Sequence, residues 1–166
     1  NLRNFTSNPT AGIDPYELID VSPFVKDLAH TVINQPEFYD LPRKFNVSFD
    51  GGGIVGVAED TNDIGLRAIK IKKPPKDHPL HDKVEGGVWF QLLLGGVTGH
   101  KAFAENCGAI CKPQDAVDVI SALVRVYIQN GNRGNRGKAR LVYLIKEWGN
   151  EKYINETNKL LEDQLI

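Results

Sequence analysis

Strict alternation of apolar and polar residues predicts a β-strand in the segment LPRKFNVSFD. Apolar side chains occupy every second position from Phe45 to Phe49 and therefore share one face of the strand, while Lys44, Asn46 and Ser48 share the other. The alternation leaves open whether this polar face is simply hydrated or lines a site for an anion.

Two further apolar segments predict strands. NDIGLRAIKIKK carries Ile64, Leu66 and Ala68 on one face and follows a glycine-rich turn. GGVWFQLLLGG is apolar almost throughout, which is typical of a strand buried on both faces. The opening segment LRNFTSNPTAGID has no such pattern and is predicted to be a loop.

Apolar residues at helical spacing predict four helices. In ELIDVSPFVKDLAHTVINQPEF, Ser22 can cap the helix and Pro23 suits its first position. KPQDAVDVISALVRVYIQNG begins at Pro113 and ends before Gly131. GKARLVYLIKEWG and EKYINETNKLLEDQLI complete the set. Because strands and helices are mixed without strict alternation, the predicted fold class is α+β (mixed α/β), with a mixed sheet flanked by helices.

Composition limits the classes of function that fit the chain. It has 166 residues, 41% of them apolar, which is enough for one domain with a core. The net charge of -1 argues against a nucleic-acid or membrane-surface protein, and no apolar run approaches the ~20 residues of a membrane span. The polar start lacks a signal-peptide core, so we expect a cytoplasmic location. A chain that begins with Asn and contains no Met is expected to be a fragment or a processed piece.

The polar face of the LPRKFNVSFD strand is one candidate site. Lys44 and Asn46 lie about 7 Å apart on that face, where a compact charge and amide donors could hold a small oxyanion. Arg43 could bind a carboxylate near the strand end. Arg3 in the opening segment is a second candidate anion ligand. The alternatives are a solvated strand face and a frayed terminus.

The segment GNRGNRGKAR places Arg133, Arg136, Lys138 and Arg140 on a Gly/Asn loop that leads into a helix. Backbone N–H groups at a helix start, together with guanidinium groups, suit a carboxylate or phosphate. The alternative is a solvated charge cluster. A nucleic-acid site is not favoured, because the segment is short and lacks interleaved aromatic residues.

Cys107 and Cys111 are spaced C-x3-C. Iron–sulfur clusters normally require four thiolates and structural zinc requires a full set of Cys and His ligands, so we expect two free thiols. His78 and His81 lie in a charged, Pro-containing segment that is expected to be a solvated loop.

Several motifs, in a fixed order, together resemble the siroheme-dependent nitrite/sulfite reductase family, in particular its assimilatory ferredoxin-type enzymes. They are RNFTSNPTAGIDPYELID, LPRKFNVSFDGG, NDIGLRAI, FQLLLGGVTGHKAFAENCG and VRVYIQNGNRGNRGKARLVYLIKEWG. The resemblance covers residues 1–149 and implies a first siroheme-binding domain, followed by a C-terminal helix at residues 150–166. Its α/β module agrees with the predicted fold class.

The resemblance implies reduction of nitrite to ammonia, or of sulfite to sulfide, with siroheme, a [4Fe–4S] cluster and electrons from ferredoxin or a similar donor. By analogy with the family, Arg3 and Lys44 bind the substrate and feed it protons. The position two residues after this Lys tends to be Asn in nitrite-type enzymes and Lys in sulfite-type enzymes. Asn46 therefore favours nitrite and completes the implied catalytic set.

The same resemblance implies a cofactor-binding set. Arg43 corresponds to an Arg that pairs with a siroheme carboxylate, and Arg136 or Arg133 could do the same from the last motif. Thr6 and Asn8 are included as donors of the first motif. The cluster cysteines of the family lie in a second half, so the isolated chain is expected to be inactive without that remaining half.

Three other functions stay open from the sequence. One is a sulfite reductase, and a second is a relative of the precorrin-modifying oxygenases that share parts of this architecture. The third is a non-catalytic module that binds a tetrapyrrole or an anion.

Overall fold

Five strands form one mixed sheet in the computed structural model, which describes residues 2–166. The strands are β1 (Leu2–Ser7), β2 (Phe45–Asp50), β3 (Ile64–Ile71), β4 (Gly87–Leu94) and β5 (Glu105–Cys111). Their spatial order follows the chain, with β1, β2 and β3 parallel and the β3–β4 and β4–β5 pairs antiparallel. This arrangement confirms the predicted α+β class with a mixed sheet.

Helices pack on one face of the sheet and close the core. They are α1 (Ser22–Asn34), α2 (Ala116–Asn130), α3 (Leu141–Trp148) and α4 (Asn150–Asn158). The alternating residues Phe45, Val47 and Phe49 of β2 are fully buried on this inner face. The ring of Phe45 lies 5.0 Å from that of Tyr127 on α2, tilted by 40°, and Phe49 contacts Phe90 of β4. The alternation that predicts the strand therefore also builds the core.

The outer face of the sheet is open at β1 but covered elsewhere: Trp89 and Leu93 of β4, which lie on this face, are only 3% and 4% exposed, and the middle of the face is also covered. A short 3-10 segment, Glu59–Thr61, crosses β2 and β3 there, and the hydroxyl of Ser48 lies 3.4 Å from the carbonyl of Glu59. Gly65 of β3 allows this close crossing, because an added Cβ would lie 2.8 Å from the same carbonyl oxygen. The start of β2 and the outer face of β1 remain open.

Two strands differ from the sequence expectation. The opening segment was predicted to be a loop, but Leu2–Ser7 pairs in parallel with Phe45–Phe49. The prediction was wrong because the pairing partner lies some forty residues away and the local sequence is polar. β5 carried no clear pattern either, since Gly108, with a φ of 84°, interrupts it.

The helices agree with the predicted positions but differ at their ends. Val21 occupies the N-cap of α1 without a side-chain bond, so the predicted capping by Ser22 was wrong, and Asp20 accepts a bond from the Ser22 N–H instead. α4 ends at Asn158 rather than running to the last residue. Among residues 2–166, no helix is both long and apolar enough to cross a bilayer.

The last segment of the chain packs into the same core as the rest. Tyr153 of α4 is fully buried, and Leu165 is 9% exposed. Ile166 exchanges two backbone hydrogen bonds with Ile110 of β5, at 2.8 and 3.2 Å. The division at residues 149 and 150 stays a prediction, and in the structure α4 packs against α2 and α3.

Candidate anion-binding site

A cleft of about 260 Å³ opens at the amino end of β2, on the outer side of the sheet. Its walls come from the start of β2, the Glu59–Thr61 segment, the loop after β4 and the start of α3. The lining residues are Arg43, Lys44, Asn46, Thr61, Val97, Thr98, Gly99, His100 and Arg140. Three of them are positively charged and none is acidic; Arg140 is paired with the buried Asp63, which leaves Arg43 and Lys44 as the cations available to an anion.

The predicted pair Lys44 and Asn46 lies in this cleft, together with Arg43. Lys44 is exposed, and Asn46 and Arg43 are half-buried. Alternation along β2 turns Asn46 to the outer face while Phe45 and Val47 fill the core. An ammonium group and amide donors therefore meet at one opening, as binding of a small oxyanion requires.

A buried ion pair fixes the start of β2. Arg140 donates from Nε to Oδ1 of Asp63 at 3.0 Å and from Nη2 to Oδ2 at 2.6 Å, and the two side chains are 6% and 0% exposed. Oδ2 of Asp63 also accepts from the backbone N–H of Asn46 at 2.9 Å. Burial raises the pKa of Asp63, and the Arg140 guanidinium opposes that rise by favouring the carboxylate. The pair thus joins β2, β3 and α3 beneath the cleft.

The loop after β4 forms the opposite wall. Its backbone is held close to the chain before β3, because Gly95 and Gly96 donate to the carbonyls of Asp63 and Asn62 at 2.9 and 3.0 Å. At the far end of the loop, Nδ1 of His100 lies 2.8 Å from the hydroxyl of Tyr143 on α3. The motif FQLLLGGVTGHKAFAENCG covers this wall, but no local pattern predicts its contacts, which join residues 32 to 43 positions apart.

Arg3 lies beside the cleft rather than in it. It occupies a bulge in β1 between Leu2, which pairs with Phe45, and Asn4, which pairs with Asn46. Arg3, Asn4 and Thr6 are all exposed, and we call these three residues the polar strip. The strip borders the amino half of β2, so the predicted anion ligands of β1 and β2 lie on neighbouring strands.

Asn8 has a different environment from the rest of the predicted set. Its amide donates to Oδ1 of Asp50 at 3.1 Å and to the carbonyl of Val55 at 2.8 Å, and its oxygen accepts from Gly51 at 2.7 Å. Asn8 is 4% exposed and joins the carboxyl ends of β1 and β2. Its side chain is used internally, and its role in cofactor binding stays a prediction.

The two arginines of the Gly/Asn loop are not part of the cleft lining. Arg133 donates to Oδ1 of Asp40 at 3.2 Å and to the Asp40 carbonyl at 2.8 Å, which ties the loop after α2 to the chain before β2. Arg136 is exposed in the 3-10 segment Arg136–Lys138. Both cofactor-binding roles stay predictions, and Arg136 has the more open side chain.

The cysteines are free thiols, in agreement with the sequence expectation. Burial raises the pKa of both Cys107 and Cys111, so both are protonated at neutral pH. Within residues 2–166, no group of three or more His, Cys, Asp or Glu side chains is arranged to hold a metal ion.

Comparison with known proteins gives consistent matches over the whole chain. The family profile described as "Nitrite and sulphite reductase 4Fe-4S domain" matches residues 1–165. The chain is 32% identical to "Ferredoxin--nitrite reductase, chloroplastic" of Zea mays, over 100% of this chain and 28% of that protein. It is also 32% identical to "Sulfite reductase [ferredoxin] 2" of Mycolicibacterium paratuberculosis, over 91% of this chain and 25% of that protein.

A solved structure supports the same relationship. The Mycobacterium tuberculosis NirA protein superposes with a TM-score of 0.83 at 29% identity, over 99% of this chain and 28% of that chain. The chain therefore spans between a quarter and a third of the length of the relatives that it matches.

Proposed function

The chain belongs to the nitrite and sulphite reductase family, and from this premise we propose that it is the siroheme- and substrate-binding half of a ferredoxin-dependent nitrite reductase. The parent enzyme would reduce nitrite to ammonia with electrons from ferredoxin. One observation carries the proposal: Lys44, Asn46 and Arg43 meet in a single cationic cleft beside the polar strip of β1. On its own, the chain is expected to be inactive.

The residues of the cleft fit a small oxyanion. The Lys44 ammonium supplies charge and donors, and the Asn46 amide supplies neutral donors on the same face. Arg3, on the neighbouring strand, would add a guanidinium from the side. Groups already fixed in this way stabilise the bound anion and the charge that builds as its N–O bonds break.

Enzymes of this family use siroheme and a [4Fe–4S] cluster. Siroheme carries many carboxylate side chains, which fit the open cations Arg3, Arg43 and Arg136 and the donors Asn4 and Thr6 on the uncovered outer face. When bound, siroheme supplies the electron chemistry, while the chain binds, orients and polarises the substrate. The chain contains two cysteines, so the four ligands of a cluster would come from the remaining half of the parent enzyme.

The test is nitrite binding to the complete parent enzyme, followed by the siroheme absorption spectrum. Lys44→Ala should raise the nitrite dissociation constant at least tenfold, because the anion loses its nearest cation. Lys70→Ala is the matched control, since Lys70 is an exposed lysine of β3 outside the cleft. A Lys44→Ala enzyme that responds to nitrite as the control does would contradict the proposal.

Sulfite is the second candidate substrate, because a ferredoxin sulfite reductase is among the similar proteins. We favour nitrite because Asn46 adds no further positive charge to the cleft, whereas sulfite carries more negative charge than nitrite. Asn46→Lys should shift the ratio of kcat/KM values at least tenfold towards sulfite, and Asn46→Gln should leave the ratio near its original value. A wild-type enzyme that prefers sulfite would overturn the assignment of substrate.

A further inference from the structure

His100 lies on the wall of the cleft that faces Lys44 and Asn46. It comes from the loop after β4, where Val97 and Ala102 pair across a tight turn and Lys101 adopts a φ of 55°. The side chain is exposed to solvent. His100 therefore adds an imidazole to a cleft whose other charged lining residues are Arg43, Lys44 and Arg140.

Tyr143 holds the ring of His100 in a defined orientation. The Tyr143 hydroxyl lies 2.8 Å from Nδ1, and the two rings meet edge to face with centroids 5.7 Å apart. Tyr143 is itself positioned by α3, and the Lys146 ammonium lies over its ring at 5.9 Å. Because Nδ1 has this partner, Nε2 is the ring nitrogen left for a ligand; it has no hydrogen bond to residues 2–166.

Positively charged side chains surround His100. Arg43 and Lys44 approach from the start of β2 and Arg140 from the start of α3, while Lys101 is its neighbour in the loop. The carboxylate of Asp63 lies below, paired with Arg140. Guanidinium groups do not release protons in proteins, whereas imidazole exchanges them near neutral pH.

We propose that His100, oriented by Tyr143, is the proton donor to the oxyanion that Lys44 and Asn46 hold. The inference rests on the proposed function. Reduction of one nitrite to ammonium takes up six electrons and eight protons and releases two waters, so the site needs a group that can be recharged. The electrons come from the ferredoxin-type donor of the parent enzyme.

A transfer to oxygen breaks the Nε2–H bond of the imidazolium and forms an O–H bond on the substrate. Two such protons for each oxygen, with electrons from the donor, let an N–O bond break with loss of water, and the other four protons form the N–H bonds of ammonium. In this assignment the Nδ1–H proton stays on the ring and is donated to the Tyr143 hydroxyl, whose oxygen lies 2.8 Å from Nδ1. The neutral imidazole regains its proton from solvent at the exposed rim of the cleft.

The test compares three variants of the complete parent enzyme across pH 5.5 to 8.5, a window chosen around the roughly neutral titration of imidazole. We expect His100→Gln to lower kcat at least about tenfold and to remove the imidazole-dependent limb of the kcat profile, with nitrite affinity within about threefold of wild type. Tyr143→Phe should keep the ring contact, lower kcat less and shift that limb. His78→Gln, in an exposed loop, is the control and should match wild type.

Chemical rescue separates proton donation from a structural role. His100→Ala opens the rim, and millimolar imidazole should restore part of the lost kcat with a pH dependence of its own. A His100→Gln enzyme with kcat within twofold of wild type and an unchanged profile would overturn the inference. Loss of nitrite affinity alone, with kcat kept, would also overturn it.

Failure of this inference and failure of the proposed function give different results. If Lys44→Ala loses nitrite binding while His100→Gln keeps the wild-type kcat and pH profile, only the proton-donor role of His100 is contradicted. If Lys44→Ala binds nitrite normally, the anion site itself is wrong, whatever His100 does. The siroheme spectrum and the melting temperature of each variant confirm that it is folded and loaded.

Discussion

At the scale of the single residue, Gly96 fixes the loop after β4 that forms one wall of the cleft. A Cβ at this position would lie 2.3 Å from the carbonyl oxygen of Asp60 and 2.4 Å from that of Asn62. These are backbone atoms, so they cannot rotate away as a side chain would. Crossing segments this close tolerate only glycine.

Gly96→Ala should therefore lower the free energy of unfolding by at least ~2 kcal/mol, since one of the two crossing backbones must shift. Gly99→Ala, in the same loop, has no atom within 4 Å of an added Cβ and should change it by less than ~0.5 kcal/mol. Urea unfolding followed by circular dichroism measures both. Equal effects of the two substitutions would contradict the close crossing.

The cysteines allow a second test at this scale. Cys111 is 5% exposed on the inner face of β5, and Cys107 is half-buried with its thiol 3.4 Å from the Leu92 carbonyl. Since the thiolate is the reactive form and burial raises the pKa of both thiols, labelling should be slow in the native protein.

With a disulfide reagent at pH 8, Cys107 should react at least tenfold more slowly than free cysteine, and Cys111 should react only after urea unfolding. Mass spectrometry of partly labelled protein identifies the residue. Labelling of Cys111 in the folded state at the rate of a free thiol would show that this edge of the core is open.

Alternation along β2 was enough to find Lys44 and Asn46, because the pattern itself assigns residues to faces. Asp63 and His100 were not found as site residues, and Arg140 was identified only as one cation of the GNRGNRGKAR segment, without its partner Asp63. Asp63 and Arg140 meet across 77 positions, and His100 meets Tyr143 across 43, so no local period connects them. One signal was available: a carboxylate directly before the apolar strand at Ile64 needs a partner if it is buried.

At the scale of elements, the Arg140–Asp63 pair joins α3 to the starts of β2 and β3. Arg140→Met should lower the free energy of unfolding by about 3–5 kcal/mol at pH 7, because it leaves a buried carboxylate without its cation. The loss should shrink at pH 5, since an unpaired Asp63 has a still higher pKa and folds more favourably when protonated. Urea unfolding at the two pH values measures this.

The double variant Asp63→Leu with Arg140→Met is the control for this prediction. Replacing both charges with apolar groups removes the unpaired carboxylate, so the double variant should be more stable than Arg140→Met alone. If it is less stable by the sum of both single effects, the two side chains do not act as a pair.

Elements with their own periodicity could be predicted, and elements held by a neighbour could not. α2, β2, β3 and β4 carry apolar patterns that match their burial. β1 has two apolar residues in six and is a strand because β2 offers it a row of backbone partners. β5 likewise depends on β4, with a glycine in the middle of it.

At the scale of the whole molecule, two buried tyrosines join the helices to each other and to the loop before α3. Tyr127 of α2 donates to the carbonyl of Ala139 at 2.5 Å, and Tyr153 of α4 donates to that of Leu123 at 2.6 Å. Burial raises the pKa of both phenols above their ordinary value near 10. In the unfolded chain they ionise first, so stability should fall as pH rises above about 10.

The expected slope is up to about 1.4 kcal/mol per pH unit for each tyrosine. Tyr153→Phe should remove about half of the fall between pH 10 and 11.5, a range just above the ordinary phenol pKa of about 10. Tyr16→Phe, at a position that is 70% exposed, should leave the slope unchanged. Urea unfolding as a function of pH, with phenolate absorbance as a second probe, checks both; equal slopes for all three proteins would contradict the assignment.

The overall architecture followed from composition and mixed periodicity, but its asymmetry did not. The patterns show which face of β2 is polar, and they cannot show that all packed helices lie on the other face. The side on which the helices pack depends on the connections between strands, such as the crossover from β1 through α1 to the parallel strand β2. The outer face is left open at β1 and at the start of β2, beside the cationic cleft.

The backbone pairing of Ile166 with Ile110 has a consequence for how the sheet can grow. These two hydrogen bonds occupy backbone groups on the free edge of β5 and partly block the addition of a further strand at that edge. At the opposite border, β1 pairs with β2 alone among the strands of residues 2–166. A strand added by another polypeptide would therefore pair with the free edge of β1, beside Arg3 and the cationic cleft.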